Sequence, residues 1–288
     1  VDGSYGARSL TIAGVEDDST EAIIGSEGAV EAVVIRNSTT QLTIRNLTVR
    51  GIYLRNVSNL SVENNVIDGG INSYAIREEE NNSELIFRYN RFLEKGIKLD
   101  RQSARDRFGR AVREGSAEIS NNTFENVEER GISIRLHEGI IINGNDIKVQ
   151  AVRTAIGIYL ANNLDIGEVS HNKLRVDGAV ADNLPSVGIN IIVDPDLPEQ
   201  VISNKIIMPE GGIGIEFEFG ASGSSLIANN QIIVNAKSQE KNIGISLSRG
   251  NINLLYNSIL IYGEDTDSRA FDFPNEDYNL FLLQNNIL

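Results

Sequence analysis

Hydrophobic positions along the chain follow a pattern centred on asparagine. An apolar residue stands three positions before each Asn and another stands two positions after it, and this pattern recurs nine times at intervals of 23 to 32 residues. All eighteen flanking positions are apolar. A period of this length predicts an elongated repeat protein. The asparagines are Asn65, Asn90, Asn122, Asn145, Asn172, Asn204, Asn230, Asn257 and Asn285.

A second motif, a Gly followed by alternating apolar residues, lies between these asparagines. Because Gly has no Cβ, it suits a corner or a close approach of two backbones, and we interpret this column in that way. Ala75 and Ala270 take the Gly position in two repeats. The glycines are Gly51, Gly96, Gly131, Gly157, Gly188, Gly214 and Gly244.

Each repeat contains two or three short segments that alternate with period two and are rich in β-branched residues. Such segments predict strands rather than helices. Three strands per repeat fit a coil whose neighbours pair in parallel about 4.8 Å apart, with inward side chains stacked. We therefore predict an all-β solenoid of about ten coils that forms a single domain over residues 1–288. The recurring Asn is expected to adopt the left-handed conformation at a corner and to bond through its amide to the next Asn.

The repeats resemble those of the pectate-lyase-like right-handed parallel β-helix superfamily, over nearly the whole chain. Segments such as ISNNTFENVEERGISI and IINGNDI are similar to repeats of bacterial surface and carbohydrate-active proteins. This resemblance implies a right-handed parallel β-helix located outside the cell or on the bacterial surface. It also implies a ligand lying across the outer face of the first strand of each coil. Since the sequence suggests no capping helix at either terminus, we expect a segment of a longer protein.

Composition narrows the classes of partner. Lys and Arg total 26 against 40 for Asp and Glu, so the net charge is −14. Such a surface repels phosphate backbones, and we expect no nucleic-acid partner. The sequence has no apolar run of the length that membrane insertion requires. It has no cysteine, which removes disulfides, thiolate metal sites and cysteine nucleophiles. The oligomeric state stays open.

By the same resemblance, outward side chains occupy the second and fourth positions after each Gly. They divide by charge: a basic group comes early in the chain, and an acidic group comes late. The acidic group consists of Glu216, Glu218 and Asp272. The basic group contains Arg77, Lys98, Asp100, Arg135 and Tyr159, with His137 at the end of its strand.

An inserted loop over residues 100–116 adds to the basic group. It carries five arginines, among them Arg105, in an otherwise acidic protein. Long loops on a compact scaffold are often functional, and the planar guanidinium fork suits carboxylate or sulfate groups. We therefore expect a polysaccharide or a cell-surface glycan to bind, in an adhesin or scaffold without chemistry of its own. The expected contacts are Arg77, Lys98, Asp100, Arg105 and Arg135.

The alternative is an enzyme acting on an acidic polysaccharide. In a lyase, Lys98, His137 or Tyr159 would act as the base. In a glycoside hydrolase, Glu216 and Asp272 would flank the bond at about 9.6 Å, near the upper limit for inversion. The chain lacks the pectate lyase aspartate cluster and the polygalacturonase signatures, which favours binding. Mixed charges on an exposed face also serve solubility alone.

No cofactor is expected, with calcium as an open alternative. Acidic pairs occur at residues 17 and 18, 194 and 196, and 265 and 267, and calcium prefers such oxygen ligands. None of them has the full spacing of a known calcium loop. His171 precedes a recurring Asn, where a solvated corner residue is expected, so we predict no zinc site.

Overall fold

The computed structural model describes residues 9–13, 23–24, 33–38, 40–69, 76–79, 82–100, 115–163, 166–178, 184–193, 199–218, 224–236, 242–248, 250–263, 267–274, 278–284 and 286–287. Within these ranges the regular elements are strands, and none is a helix. The described part of the chain is therefore all-β, as the period-two alternation predicts.

The strands form three parallel sheets that the chain visits in turn. The first sheet contains β3 (Val33–Ser38), the beginning of β6 (Ile52–Glu63), β8 (Ile76–Glu79), β11 (Ile97–Asp100), β14 (Arg130–Arg135), β17 (Ile156–Asn163), β20 (Val187–Val193), β23 (Ile213–Glu218), β26 (Ile243–Leu247) and β29 (Arg269–Asp272). The second contains β1 (Ser9–Ala13), β4 (Gln41–Arg45), the end of β6, β9 (Ser83–Arg88), β12 (Ala117–Ser120), β15 (Ile140–Asn143), β18 (Glu168–Ser170), β21 (Gln200–Ile202), β24 (Ser224–Ala228), β27 (Gly250–Leu255) and β30 (Tyr278–Gln284). The third contains β2 (Ile23–Ile24), β5 (Thr48–Val49), β7 (Val66–Asp68), β10 (Arg91–Leu93), β13 (Thr123–Val127), β16 (Asp146–Ala151), β19 (Lys173–Gly178), β22 (Lys205–Met208), β25 (Gln231–Ala236) and β28 (Ser258–Gly263). This arrangement is compatible with a parallel β-helix.

The core is built from equivalent side chains of successive repeats. Ile132, Ile158 and Ile189 lie opposite one another in neighbouring strands of the first sheet, and all three are fully buried. In the third sheet the rings of Phe92 and Phe124 stack with centroids 4.5 Å apart. The sixteen apolar positions that flank the first eight recurring asparagines are all buried, which confirms the prediction for those repeats.

The recurring asparagines form a continuous row of buried side-chain hydrogen bonds. Asn145 Nδ2 donates to Asn172 Oδ1 at 2.9 Å, and Asn172 Nδ2 donates to Asn204 Oδ1 at 3.0 Å. Each amide oxygen also accepts from the main-chain N–H of the preceding asparagine, as from Asn145 N to Asn172 Oδ1 at 3.0 Å. The same pattern runs from Asn65 to Asn257, so the predicted bonding between amides is confirmed.

The left-handed residue at this corner is the one directly before each row asparagine. The prediction that the row asparagine itself adopts this conformation is therefore wrong. The side chain at the left-handed position points away from the core and is largely exposed, which allows several residue types there. The buried amide, in contrast, must be an asparagine to complete the row. The left-handed residues are Asn64, Tyr89, Asn121, His171, Ser203, Asn229 and Tyr256, with φ between 54° and 58°, and Gly144, with φ of 67°.

In the last repeat, Asn286 continues the row instead of the predicted Asn285, which lies outside the described residues. Asn257 Nδ2 donates to Asn286 Oδ1 at 3.0 Å. The pairing of β27 with β30 contains a register shift, which sets Leu282 opposite Asn253 and Leu283 opposite Leu254. Ile287, the apolar residue two positions after Asn285, is 70% exposed, unlike its counterparts in the earlier repeats. A single inserted residue is enough to cause this change, because it moves every following side chain to the next position.

The Gly column marks a close approach between successive repeats. A Cβ atom on Gly188 would lie 2.4 Å from the carbonyl oxygen of Gly214 and 2.5 Å from Ile206 Cγ2. Gly131 and Gly157 would place a Cβ 2.7 Å and 2.5 Å, respectively, from the next carbonyl oxygen in the column. No side chain fits at these distances, so the predicted close backbone approach is confirmed.

Candidate functional site

Outward side chains of the first sheet form two parallel columns, which we call the first and second columns. Strand pairing sets Ser133 opposite Tyr159, and Tyr159 opposite Asn190. The predicted alignment is thereby confirmed. The first column runs through Tyr53, Lys98, Ser133, Tyr159, Asn190, Glu216, Ser246 and Asp272, and the main chain of Arg77 is in register with it between Tyr53 and Lys98. The second column includes Asp100, Arg135, Ala161, Ile192 and Glu218.

These columns are more shielded than a free strand face would be. Ser133 is 1% exposed and Asn190 is 6% exposed, although neither belongs to the apolar core. Long side chains stand beside the short ones, since Lys98 and Tyr159 flank Ser133 in the first column. The face therefore holds polar groups in fixed, partly desolvated positions, which strengthens their hydrogen bonds.

At the basic end, Asp100 lies between two cations. Its Oδ2 atom is 3.5 Å from Lys98 Nζ and 3.6 Å from Arg135 Nη1. The structure thus brings together three of the predicted contacts. Arg135 also has an Nε atom that is buried and has no hydrogen-bond partner. A buried donor without a partner costs free energy, so this Nε–H group would gain from donating to an oxygen of a ligand.

One strand further along, Tyr159 has a cationic partner that the sequence did not reveal. The guanidinium carbon of Arg130 lies 4.4 Å from the centre of the Tyr159 ring. An arginine held over an aromatic face in this way makes a cation–π contact. Arg130 comes directly before Gly131, a glycine of the Gly column. The alternation of the motif does not assign this position to the outer face, so the sequence does not predict the contact.

The next two strands carry an amide and two carboxylates. Asn190 Nδ2 donates to Glu216 Oε2 at 2.6 Å. The other polar atom of this amide, Asn190 Oδ1, is buried and has no hydrogen-bond partner. Glu218 lies two residues beyond Glu216 on the same face of β23. This part of the face therefore presents oxygen acceptors where the basic end presents donors.

The predicted hydrolase pair has its two carboxylates in different surroundings. Glu216 and Asp272 are separated by Ser246 in the first column, a distance of about 9.6 Å by strand spacing. Asp272 is 8% exposed, and its Oδ1 accepts from Arg269 Nη1 at 2.8 Å. Asp272 is therefore paired with a guanidinium, whereas Glu216 is paired with the side-chain amide of Asn190.

Both histidines lie away from this face. His137 is fully buried, and its Nδ1 atom is 3.0 Å from the carbonyl oxygen of Gly115. His137 is therefore not exposed beside the outward basic group: β14 ends at Arg135, and the ring is buried against Gly115. His171 is the exposed left-handed residue at a corner, as predicted.

Several predicted features fall outside the described residues. These include Arg105 and the other four arginines of the inserted loop, together with the side chain of Arg77. Of the three acidic pairs considered for calcium, only Asp267 is described. Within the described ranges, no group of three or more His, Cys, Asp or Glu residues is arranged to hold a metal ion.

Two paired ions on the other sheets were also not predicted. Arg88 donates to Glu118 through Nε at 3.0 Å and through Nη2 at 2.6 Å, on the second sheet. These two hydrogen bonds lower the pKa of the Glu118 carboxyl and raise the pKa of the Arg88 guanidinium. Arg91 and Glu125 form a similar pair on the third sheet. Opposite charges at related positions of neighbouring repeats are the sequence signal for such pairs.

A shallow cavity of about 420 Å³ lies along the second sheet, beside Glu118. Outward side chains of Ser61, Ile86 and Ile141 contribute to its lining. It lies on a different sheet from the two columns described above. No sequence motif indicates this cavity, because its lining residues come from strand positions that vary between repeats.

Among the described residues, no helix has the length and apolar character needed to cross a membrane. No family model, no curated protein and no solved structure matches the chain.

Proposed function

We propose that this chain is a right-handed parallel β-helix of about ten coils, related to the pectate-lyase-like superfamily, that binds polysaccharide along the outer face of the first sheet. It would serve as an adhesin or carbohydrate-binding scaffold outside the cell or on the bacterial surface. The repeat motifs and the three parallel sheets support the architecture. The polar columns support the binding role.

One observation carries the binding proposal. Arg135 Nε and Asn190 Oδ1 are outward, buried and unpaired, and they are a donor and an acceptor, respectively. The strands that carry them are two spacings apart, about 9.6 Å. Sugar hydroxyls both donate and accept, so a glycan lying across the strands can supply both missing partners. The gain is the removal of two desolvation penalties of about 1–3 kcal/mol each.

The direct test is glycan binding by an Arg135→Ala variant. We expect the wild-type protein to bind an acidic polysaccharide, and the variant to lose at least about tenfold in affinity, as for a charge-assisted bond. Lys205→Ala is the matched control, because Lys205 is an exposed cation on the third sheet. If both variants lose affinity equally, the loss results from the change in net charge, and the proposed contact between Arg135 and the glycan is refuted.

The rival proposal is a lyase or a glycoside hydrolase on the same face. Lys98 and Tyr159 support the lyase, since these two candidate bases flank Ser133 in one column. Incubation with acidic polysaccharides separates the classes: a lyase leaves new unsaturated ends, and a hydrolase leaves new reducing ends. Product of either kind would replace the scaffold proposal with an enzymatic one.

A further inference from the structure

The two columns change character in a fixed order along the first sheet. The basic zone, on β11 and β14, has three cations, Lys98, Arg130 and Arg135, against the single carboxylate of Asp100. The acidic zone, on β23, has the two carboxylates of Glu216 and Glu218 and no cation. A ligand that lies along the columns therefore meets two opposite charge environments.

Between these zones lies a stretch of the face without charged column residues. Its second-column residues, Ala161 and Ile192, are apolar, and its first-column residues are Tyr159 and Asn190. The unpaired Asn190 Oδ1 adds an acceptor that requires a donor from the ligand. A hydroxyl or an amide N–H meets that requirement, whereas an ionised carboxylate has no hydrogen to donate.

The basic and acidic zones are far enough apart to contact different sugar residues of one polymer. Arg135 and Glu218 occupy the second column three strand spacings apart, about 14 Å. A polymer with a carboxylate on every residue would satisfy Arg135 but would bring further carboxylates against Asn190 Oδ1 and Glu218. Like charges brought together in this way are the usual means of rejecting a wrong partner.

We infer that the ligand is a sparsely charged heteropolysaccharide, with one anionic residue at the basic zone followed by at least two uncharged residues across Asn190 and Glu218. This inference rests on the proposed function and specifies its substrate class. The protein would therefore prefer such a polymer to a homopolyuronate, in which every sugar residue carries a carboxylate. The single anion is held by Arg135 and Lys98, and the uncharged residues donate hydroxyls to the acceptors beyond.

Three polymers test this inference by equilibrium binding at low ionic strength. They are gellan, with one glucuronate per tetrasaccharide repeat, polygalacturonate, with a carboxylate on every residue, and neutral dextran. We expect gellan to bind at least about tenfold more tightly than either of the others, the cost of one unfavourable or one missing charge contact. Polygalacturonate binding that equals or exceeds gellan binding overturns the inference and leaves the proposed function standing. Failure of all three polymers to bind overturns both.

A charge-neutral variant gives a second, independent measurement. Glu218→Gln removes one repulsive charge while keeping the shape, so the ratio of gellan affinity to polygalacturonate affinity should fall by about three- to tenfold. Glu168→Gln is the matched control, because Glu168 lies outward on the second sheet. An unchanged ratio in Glu218→Gln, or an equal change in the control, refutes the assignment of selectivity to the acidic zone.

Discussion

The asparagine row is the feature whose contribution to stability can be worked out most fully. Asn172 lies near its middle and takes part in several buried hydrogen bonds. Its Nδ2 atom donates to Asn204 Oδ1 at 3.0 Å and to the carbonyl oxygen of Ile142 at 2.9 Å. Its Oδ1 atom accepts from the main-chain and side-chain nitrogens of Asn145. The variant Asn172→Ala removes all four bonds.

The expected loss follows from what the variant leaves behind. The main-chain N–H of Asn145 is buried, and without Asn172 Oδ1 it loses its acceptor. A buried amide without a partner costs about 1–3 kcal/mol. The Nδ2 atom of Asn145 keeps its bond to the carbonyl oxygen of Ile119, so its loss is smaller. We expect the free energy of unfolding to fall by about 3 kcal/mol in total.

Urea denaturation followed by circular dichroism measures this change. The control is Gln150→Ala, because Gln150 is an exposed amide on a strand of the third sheet and should change stability by less than about 0.5 kcal/mol. If Asn172→Ala is as stable as the control, the row does not hold the repeats together. The reasoning from buried amides would then be wrong.

Three further predictions concern other parts of the molecule. Gly188→Ala should lower the free energy of unfolding by about 1–3 kcal/mol or more, because its Cβ would lie 2.4 Å from a carbonyl oxygen. The control is Gly167→Ala, where the nearest atom would be 3.4 Å away, and the same urea assay should show little change for it. The Glu118 carboxyl has a lowered pKa, so its pairing with Arg88 stabilises the fold above the ordinary glutamate pKa of 4.5, and this contribution is lost as the pH falls through the lowered value. Stability measured against pH should therefore fall less steeply on acidification in Glu118→Gln than in wild type, and identical slopes would contradict the pairing. Arg130→Ala should lower stability by about 0.5–1 kcal/mol through loss of the contact with Tyr159, and the exposed Arg153→Ala is its control; equal losses in thermal melts would count against the contact.

Much of the architecture could be predicted because the repeat makes one pattern visible many times. Val62 and Ile67 flank Asn65 just as Leu254 and Ile259 flank Asn257, and all four apolar residues are buried. The outward columns followed from the same periodicity, since the second position after each Gly lies opposite its counterpart in the next strand. Strand pairing in register is a local consequence of a regular sequence.

The errors come from places where the chain departs from that regularity. The register shift in β30 replaced Asn285 with Asn286 in the row, and a one-residue insertion leaves no mark when two asparagines are adjacent. His137 stands where the outward alternation would continue, but the strand has ended and the ring is buried. Pairs such as Arg88 with Glu118 depend on side-chain reach between repeats, which a one-dimensional pattern does not specify.

The hydrogen bonds between the row asparagines all point in the same direction along the chain, and this limits how the number of repeats can change. Every donor nitrogen in the row bonds to the oxygen of the asparagine one repeat later, so the row has a head and a tail. If one complete repeat is duplicated or deleted, the amide nitrogen of each asparagine still faces the amide oxygen of the next one. Duplicating or deleting a fragment of a repeat does not preserve this, because it leaves one amide facing the wrong atom.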